Sequence, residues 1–489
     1  MDFFKRAAKR VNEVAAALEK TLAEMPLFTA VSTGNLDALA RAYAEGENLE
    51  VNIRAMVRAV LVLTADAQLW ERTNDEGKKP IDFVSSPEIK KDLQQFTQKH
   101  EPKVTGVDWS VNLKLTEAKL EPENIELERV LFSLDGGGMR GVIELQIMLH
   151  LEARLGFPLM GAIDWIAGTS TGSIIALALA QGRSVRWTHR LYMGLGPKIF
   201  RKGEHVVPRY NAKYLEQSLI QHLGKDSLGK IVGPKVLVTA SKVETQPPSL
   251  VLFRSYAPRV APSVYMAEGF LMPERTLTWK AARCSSAAPI YFASSNGMAD
   301  GALCTNNPCS VLISDFCRVK KIETEHGIDN KESIHLVVSL GTGTDPKVTA
   351  AAGHCDVTLS SYKPAALLDT LKKSSNLIQM FVMQCLTSDG TVVEYSREWC
   401  HALDIPFFRI QPLLEKKVPL DEKRNDQLLD LLWQTEIFLR TQCPHQIDAI
   451  VRLMRAIHTK RGLNNTLNPA AENDCDKTAM SERSEKEIP

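Results

Sequence analysis

Val130-Leu131-Phe132-Ser133-Leu134-Asp135-Gly136-Gly137-Gly138-Met139-Arg140-Gly141 is a strand-like apolar run that opens into a glycine loop. The following segment, 142–155, has the apolar spacing of a helix. A loop in that position can present backbone N–H groups to an anion at a helix N-terminus. Farther on, Ile163-Asp164-Trp165-Ile166-Ala167 leads into Gly168-Thr169-Ser170-Thr171-Gly172, and 173–181 reads as a buried helix. The G-x-S-x-G stretch can hold the Ser170 hydroxyl on a tight strand-to-helix turn, with glycines removing the side chains that would clash there. An anion-binding loop beside a nucleophile turn points to ester hydrolysis.

Working outward, strand candidates at 130–134, 235–239, 249–253, 335–340 and 407–410 alternate with helix candidates at 142–155, 173–181 and 365–385. This alternation predicts an α/β fold over 128–460, with a mainly parallel sheet covered by helices on both faces. Residues 426–458 read as a C-terminal helical pair broken at Pro444, and the polar stretch 461–489 reads as a disordered tail. Upstream, residues 1–24 place Phe3, Phe4, Ala7, Val11 and Val14 at helical spacing, with Lys5, Arg6, Lys9 and Arg10 on the other face. Such a helix either lies on an anionic membrane surface or docks onto the helices that follow. Residues 25–100 read as a small helical region. Within it, Gly34-Asn35-Leu36-Asp37-Ala38-Leu39 and Asn74-Asp75-Glu76-Gly77-Lys78-Lys79-Pro80-Ile81-Asp82 look like degenerate ankyrin units, the second with Pro80 at a helix start. Two worn copies would have to lean on a neighbour. Residues 101–127, polar, charged and Pro-containing, read as a linker.

A chain of 489 residues exceeds a usual single core, so two units with flanking segments are expected. At 44% hydrophobic and 24% charged, it has the composition of an ordinary globular protein. The net charge of +1 gives no global attraction to nucleic acid or anionic lipid, so no nucleic-acid partner is expected and any membrane affinity must be local. The first residues lack the apolar core of a secretory signal, and no long uncharged window predicts a membrane span. A cytoplasmic location is expected. All nine cysteines lie at or after Cys284 without a C-x-x-C pair, which fits reduced thiols rather than a zinc site. With no EF-hand loop and no HExxH pair, neither metal nor cofactor is expected.

The glycine loop also satisfies a dinucleotide fingerprint, Gly136-x-Gly138-x-x-Gly141, with Asp164 about where a ribose-binding acid would sit. That reading, of an oxidoreductase, leaves Gly168–Gly172 unused. A nucleophile needs a base. The histidines after Asp300 are His326, His335, His354, His401, His445 and His458, of which His354, in Gly-His-Cys-Asp, has the most loop-like setting. Met298-Ala299-Asp300-Gly301-Ala302, followed by Asn306-Asn307-Pro308, offers a route without histidine: an Asp-Gly turn can bring a carboxylate against a serine hydroxyl. The plainer alternative is an Asx turn between strand and helix. A free aspartate of pKa ~4 is a weak base for an alcohol, so desolvation and oxyanion stabilisation must compensate.

Asp-Gly-Gly-Gly-x-Arg-Gly, Gly-x-Ser-x-Gly and a later Asp-Gly, in this order, resemble the patatin-like phospholipases. More narrowly, 128 to about 455 is similar to the catalytic domain of group VI calcium-independent phospholipase A2. Phe253-Arg254-Ser255-Tyr256, Trp279-Lys280-Ala281-Ala282-Arg283-Cys284-Ser285-Ser286, Val338-Ser339-Leu340-Gly341-Thr342-Gly343 and Trp433-Gln434-Thr435-Glu436 carry the same likeness. The resemblance implies a three-layer α/β/α sandwich and calcium-independent hydrolysis of the sn-2 acyl ester of glycerophospholipids through an acyl-enzyme. It implies Ser170 as nucleophile, Asp300 as its partner in a Ser-Asp dyad, and Gly136, Gly137, Gly138 and Arg140 in the oxyanion loop. It also implies work at a phospholipid membrane surface, with homodimerisation and calmodulin binding. Departures are Ala302 for a usual glycine, Ser173 for another, and an ankyrin array reduced to fragments. A lipid-binding scaffold with a vestigial site is the rival class of function.

Overall fold

The computed structural model describes residues 127–203, 208–346 and 388–462, together with shorter stretches between 54 and 120. In chain order its main elements begin with α1 (Pro87–Thr97), α2 (Val107–Lys119), β1 (Glu128–Leu134), α3 (Gly141–Leu155), β2 (Trp165–Thr169) and α4 (Thr171–Ala180). There follow α5 (Val185–Ile199), α6 (Ala212–Leu223), β3 (Lys235–Lys242), β4 (Ser249–Arg254), α7 (Pro262–Ala267), α8 (Thr278–Ser285) and β5 (Met298–Asp300). The last are α9 (Cys309–Glu325), β6 (Ser333–Leu340), α10 (Thr391–Ala402), β7 (Phe407–Ile410), α11 (Asn425–Thr441) and α12 (Pro444–Lys460).

Side chains alternate along a strand, and β1 is apolar on both sides, so it must be covered twice. Val130, Phe132 and Leu134 join one buried cluster with Leu145, Ile175 and Leu428, from α3, α4 and α11. Leu131 joins a second cluster with Phe316, Val319 and Cys400, from α9 and α10. Two cores separated by one sheet make a three-layer α/β/α sandwich. The sheet runs β4-β3-β2-β1-β6-β7, with β5 also paired to β3. β1, β2, β3, β6 and β7 are parallel, whereas β4 and β5 run antiparallel to β3.

The chain leaves β1 for β2 and β3 on one side and later returns to β6 on the other. Such a reversal of direction leaves a crevice at the carboxyl ends of the strands. The glycine loop after β1, the turn after β2 and Gly341-Thr342-Gly343 after β6 all emerge there.

One expectation is corrected. The supposed linker contains α2, and its Asn112 side chain donates to Phe407 O and accepts from Phe407 N, both at 2.8 Å. This occupies backbone groups of β7, the last strand at that edge of the sheet. The buried residues of α2 are the polar Asn112 and Thr116, which is why apolar periodicity missed it. Farther upstream, Phe96 of α1 stacks on Trp433 of α11 with ring centroids 6.3 Å apart, tying α1 to the C-terminal helices. Pro80 opens a short 3-10 turn, Pro80–Phe83. The amphipathic segment 1–24, the ankyrin-like stretch at 34–46, the helix expected at 365–385 and the tail beyond 462 lie outside the described residues.

Candidate active site

β2 ends at Thr169 and α4 starts at Thr171, so the single residue Ser170 makes the whole turn. It does so at φ 52° and ψ −117°, a left-handed conformation that costs a non-glycine residue about 1–3 kcal/mol. The flanking glycines permit the turn because the backbones touch. A Cβ on Gly168 would lie 2.3 Å from Gly172 O, and one on Gly172 would lie 2.5 Å from Leu134 O. Ser285 Oγ accepts the Ser170 N–H at 2.8 Å, and Ser173 Oγ donates to Ser170 O at 2.6 Å. The hydroxyl is thus held out at the N-terminus of α4, where the helix dipole favours negative charge.

Sheet register delivers the partner. Thr169 of β2 pairs with Thr239 of β3, and the next residue, Ala240, pairs with Asp300 of β5. Ser170 Oγ donates to Asp300 Oδ2 at 2.6 Å, while Ala302 N–H donates to Oδ1 at 2.9 Å. Asp300 is buried, and burial pushes its carboxyl up to about 6, against the opposing pull of the bonds from Ser170 and Ala302. A carboxylate tuned upward in this way is a far better proton acceptor than a solvated aspartate.

The glycine loop divides its donors. Gly136 N–H donates to Asn306 O at 3.2 Å, so it anchors the loop instead of facing the serine. Met139 N–H donates to Leu420 O at 2.8 Å, and Gly138 sits at φ 58°, where a Cβ would meet Leu420 O at 2.3 Å. The N–H groups of Gly137 and Gly138 have no hydrogen-bond partner among the described residues, and both glycines line the same cavity as Ser170 and Asp300. Arg140 closes the same loop. Its guanidinium is buried and donates to Asp345 at 2.9 Å, so it fastens the loop to the segment after β6.

Sequence reasoning did not foresee the groups that clamp this loop. Thr342 Oγ1 and Asn306 Nδ2 both donate to Gly136 O, at 3.0 and 3.3 Å. Arg409, from β7, donates to Asp135 Oδ2 at 2.5 Å and to Ser339 Oγ at 2.9 Å. Burial pushes Asp135 up to about 6 even beside that guanidinium. The signals were visible only as neighbours of motifs: Asn306 after Asp-Gly, and Thr342 between two glycines.

Among the described residues no histidine lines the cavity. His326 Nδ1 lies 2.8 Å from Ile322 O, His401 lies against Asn112, and His335 is buried beside Glu128 at the opposite end of β1. His354 lies outside the described residues. Asp164 accepts from Val130 N at 2.8 Å and from Arg461 at 3.0 Å, so the carboxylate a dinucleotide would need is spent at the far end of the strands.

The serine opens onto a cavity that it lines together with Asp300. Its walls include Ile174, Leu195, Ile199, Phe200, Leu215 and Phe292. A polar reacting pair at one wall of an otherwise apolar cavity suits a substrate with an ester and a long aliphatic chain.

An α/β sandwich with its serine on a strand-to-helix turn and a lone carboxylate against it defines a class of protein. A family profile described as patatin-like phospholipase matches residues 132–313, so this part of the chain is similar to that family. It is 32% identical over 318 residues to the 85/88 kDa calcium-independent phospholipase A2 of Rattus norvegicus, covering 63% of this chain and 38% of that one. It is 31% identical over 332 residues to the intracellular phospholipase A2 of Caenorhabditis elegans, covering 66% and 29%. Calcium-independent phospholipase A2-gamma of Mus musculus is 26% identical over 319 residues, covering 61% and 37%. The chain thus spans well under half the length of these relatives.

Proposed function

We propose that this protein is a calcium-independent phospholipase A2-type acyl hydrolase, releasing fatty acid from the sn-2 position of glycerophospholipids. The observation that carries the reading is the 2.6 Å Ser170–Asp300 hydrogen bond at the wall of an apolar cavity. Ser170 Oγ attacks the ester carbonyl as its proton passes to Asp300 Oδ2. The unpartnered amides of Gly137 and Gly138 take the negative charge on the carbonyl oxygen, with the first-turn amide of Thr171 beside them. Collapse of the adduct expels the lysolipid alkoxide, which takes the proton from Asp300 and leaves the acyl group on Ser170. Water then gives a proton to Asp300 and attacks the acyl-enzyme, freeing the fatty acid and restoring the serine.

The substrate sits in a bilayer, so the enzyme works at a phospholipid surface from the cytoplasm. No described helix is long and apolar enough to cross a membrane. Product analysis on a phosphatidylcholine with different acyl chains at its two positions, with and without chelator, tests the proposal. Release of the sn-2 fatty acid at an unchanged rate in chelator supports it; no release, or release that chelator abolishes, sinks it.

A further inference from the structure

The cavity has a charged edge that the proposed chemistry does not use. Phe200, a wall residue, is followed directly by the exposed Arg201 and Lys202. The chain returns at Arg209, also exposed, whose N–H donates to Ile290 O at 2.8 Å, while Tyr210 N–H donates to Tyr291 O at 3.0 Å. Lys202 and Tyr210 bridge to each other. These residues are therefore stitched to Ile290 and Tyr291, and Tyr291 lines the cavity that holds Ser170. The Arg209 guanidinium carbon stands 5.7 Å from the centre of the Tyr291 ring, and that of Arg201 stands 4.8 Å from the Tyr214 ring.

Among the described residues no carboxylate pairs with Arg201, Lys202 or Arg209. Of the nearby acids, Glu422 pairs with Arg424 at 3.0 Å and Asp345 pairs with Arg140, while Asp421 accepts from Tyr210 Oη. Three uncommitted cations thus border an apolar cavity. An aromatic face that fixes a guanidinium while leaving its N–H groups open favours a planar, forked contact with oxyanions.

We propose that Arg201, Lys202 and Arg209, led by Arg209, receive the phosphate of a single-tailed or two-tailed lipid whose acyl chain lies in the cavity. The proposal rests on the cavity being the acyl site of the proposed function, and it adds the group that selects phosphate-bearing lipid over uncharged esters. A phosphate at these cations and a chain against Ile199 and Leu215 hold the amphiphile at two points, so neither part alone should bind as well.

The test is calorimetric binding of monomeric dodecyl phosphate, dodecyl maltoside and inorganic phosphate to the full chain. Wild type is expected to prefer dodecyl phosphate over dodecyl maltoside, and to bind inorganic phosphate far more weakly than either. Arg209→Gln should cut that preference about tenfold, Arg209→Lys should keep part of it, and Lys321→Gln, a cation on α9, should leave it unchanged. An unaltered preference in Arg209→Gln, or an equal drop in Lys321→Gln, overturns the proposal. Inorganic phosphate binding as tightly as dodecyl phosphate also overturns it, assigning these cations to a free anion. Binding needs no turnover, so selective binding without ester hydrolysis would sink the hydrolase reading and leave the phosphate site standing.

Discussion

Asp300 sits where a carboxylate is least favoured, buried and, among the described residues, with its carboxylate bonded only to Ser170 Oγ and Ala302 N–H. The cost to the fold and the benefit to the chemistry have the same origin. Its folded value, about 6, lies above its ordinary value of 3.8, so the native state holds the proton more tightly than the unfolded state does. The associated stability is present in full below the ordinary value and is lost as pH rises through about 6. Asp300→Asn should therefore stabilise the protein by about 2 kcal/mol at pH 7, and by little at pH 4, in urea unfolding at the two pH values. The same change should lower kcat/KM on the order of 10³-fold or more, as should Ser170→Ala. In wild type, kcat/KM should fall as pH drops below about 6, because a protonated Asp300 cannot accept the serine proton. A flat profile between pH 5 and 8 would remove Asp300 from the role of base.

At the scale of elements, the turn between β2 and α4 works because two backbones approach closer than any side chain allows. Ala in place of Gly168 forces the first turn of α4 away from β2, and Ala in place of Gly172 forces it away from the end of β1. Each should cost about 1–3 kcal/mol in unfolding free energy and abolish hydrolysis, since Ser170 moves off Asp300. Urea midpoints and phospholipid turnover, measured together, check this; an active, fully stable Gly168→Ala would show the turn to be more tolerant than its geometry states. The register that places Asp300 is less local. β5 is three residues long, too short to show any periodicity, and finds its position by pairing with β3. The motif was legible in Met298-Ala299-Asp300-Gly301, but the strand was not.

At the scale of the whole molecule, the parallel strands could be read from sequence because both their faces are buried and their residues are apolar almost throughout. Phe407–Ile410 was placed to the residue, and β1, β3, β4 and β6 to within three residues at either end. What escaped was held together by polar contacts between distant segments. α2 buries Asn112 and Thr116 in place of an apolar stripe, and the bonds of Gly136 to Asn306 and of Arg140 to Asp345 are ones that no local pattern encodes. Asn112→Ala strands two backbone groups of β7 and should lower stability by about 1–3 kcal/mol, read as a shifted urea midpoint, with little change in kcat. All of this architecture converges on one oxygen atom. Treating the protein with a fluorophosphonate and mapping the adduct by peptide mass spectrometry interrogates that atom directly. The adduct should fall on the peptide containing Ser170 and form far more slowly in Asp300→Asn; an adduct on another serine, or undiminished labelling in that variant, would contradict the account.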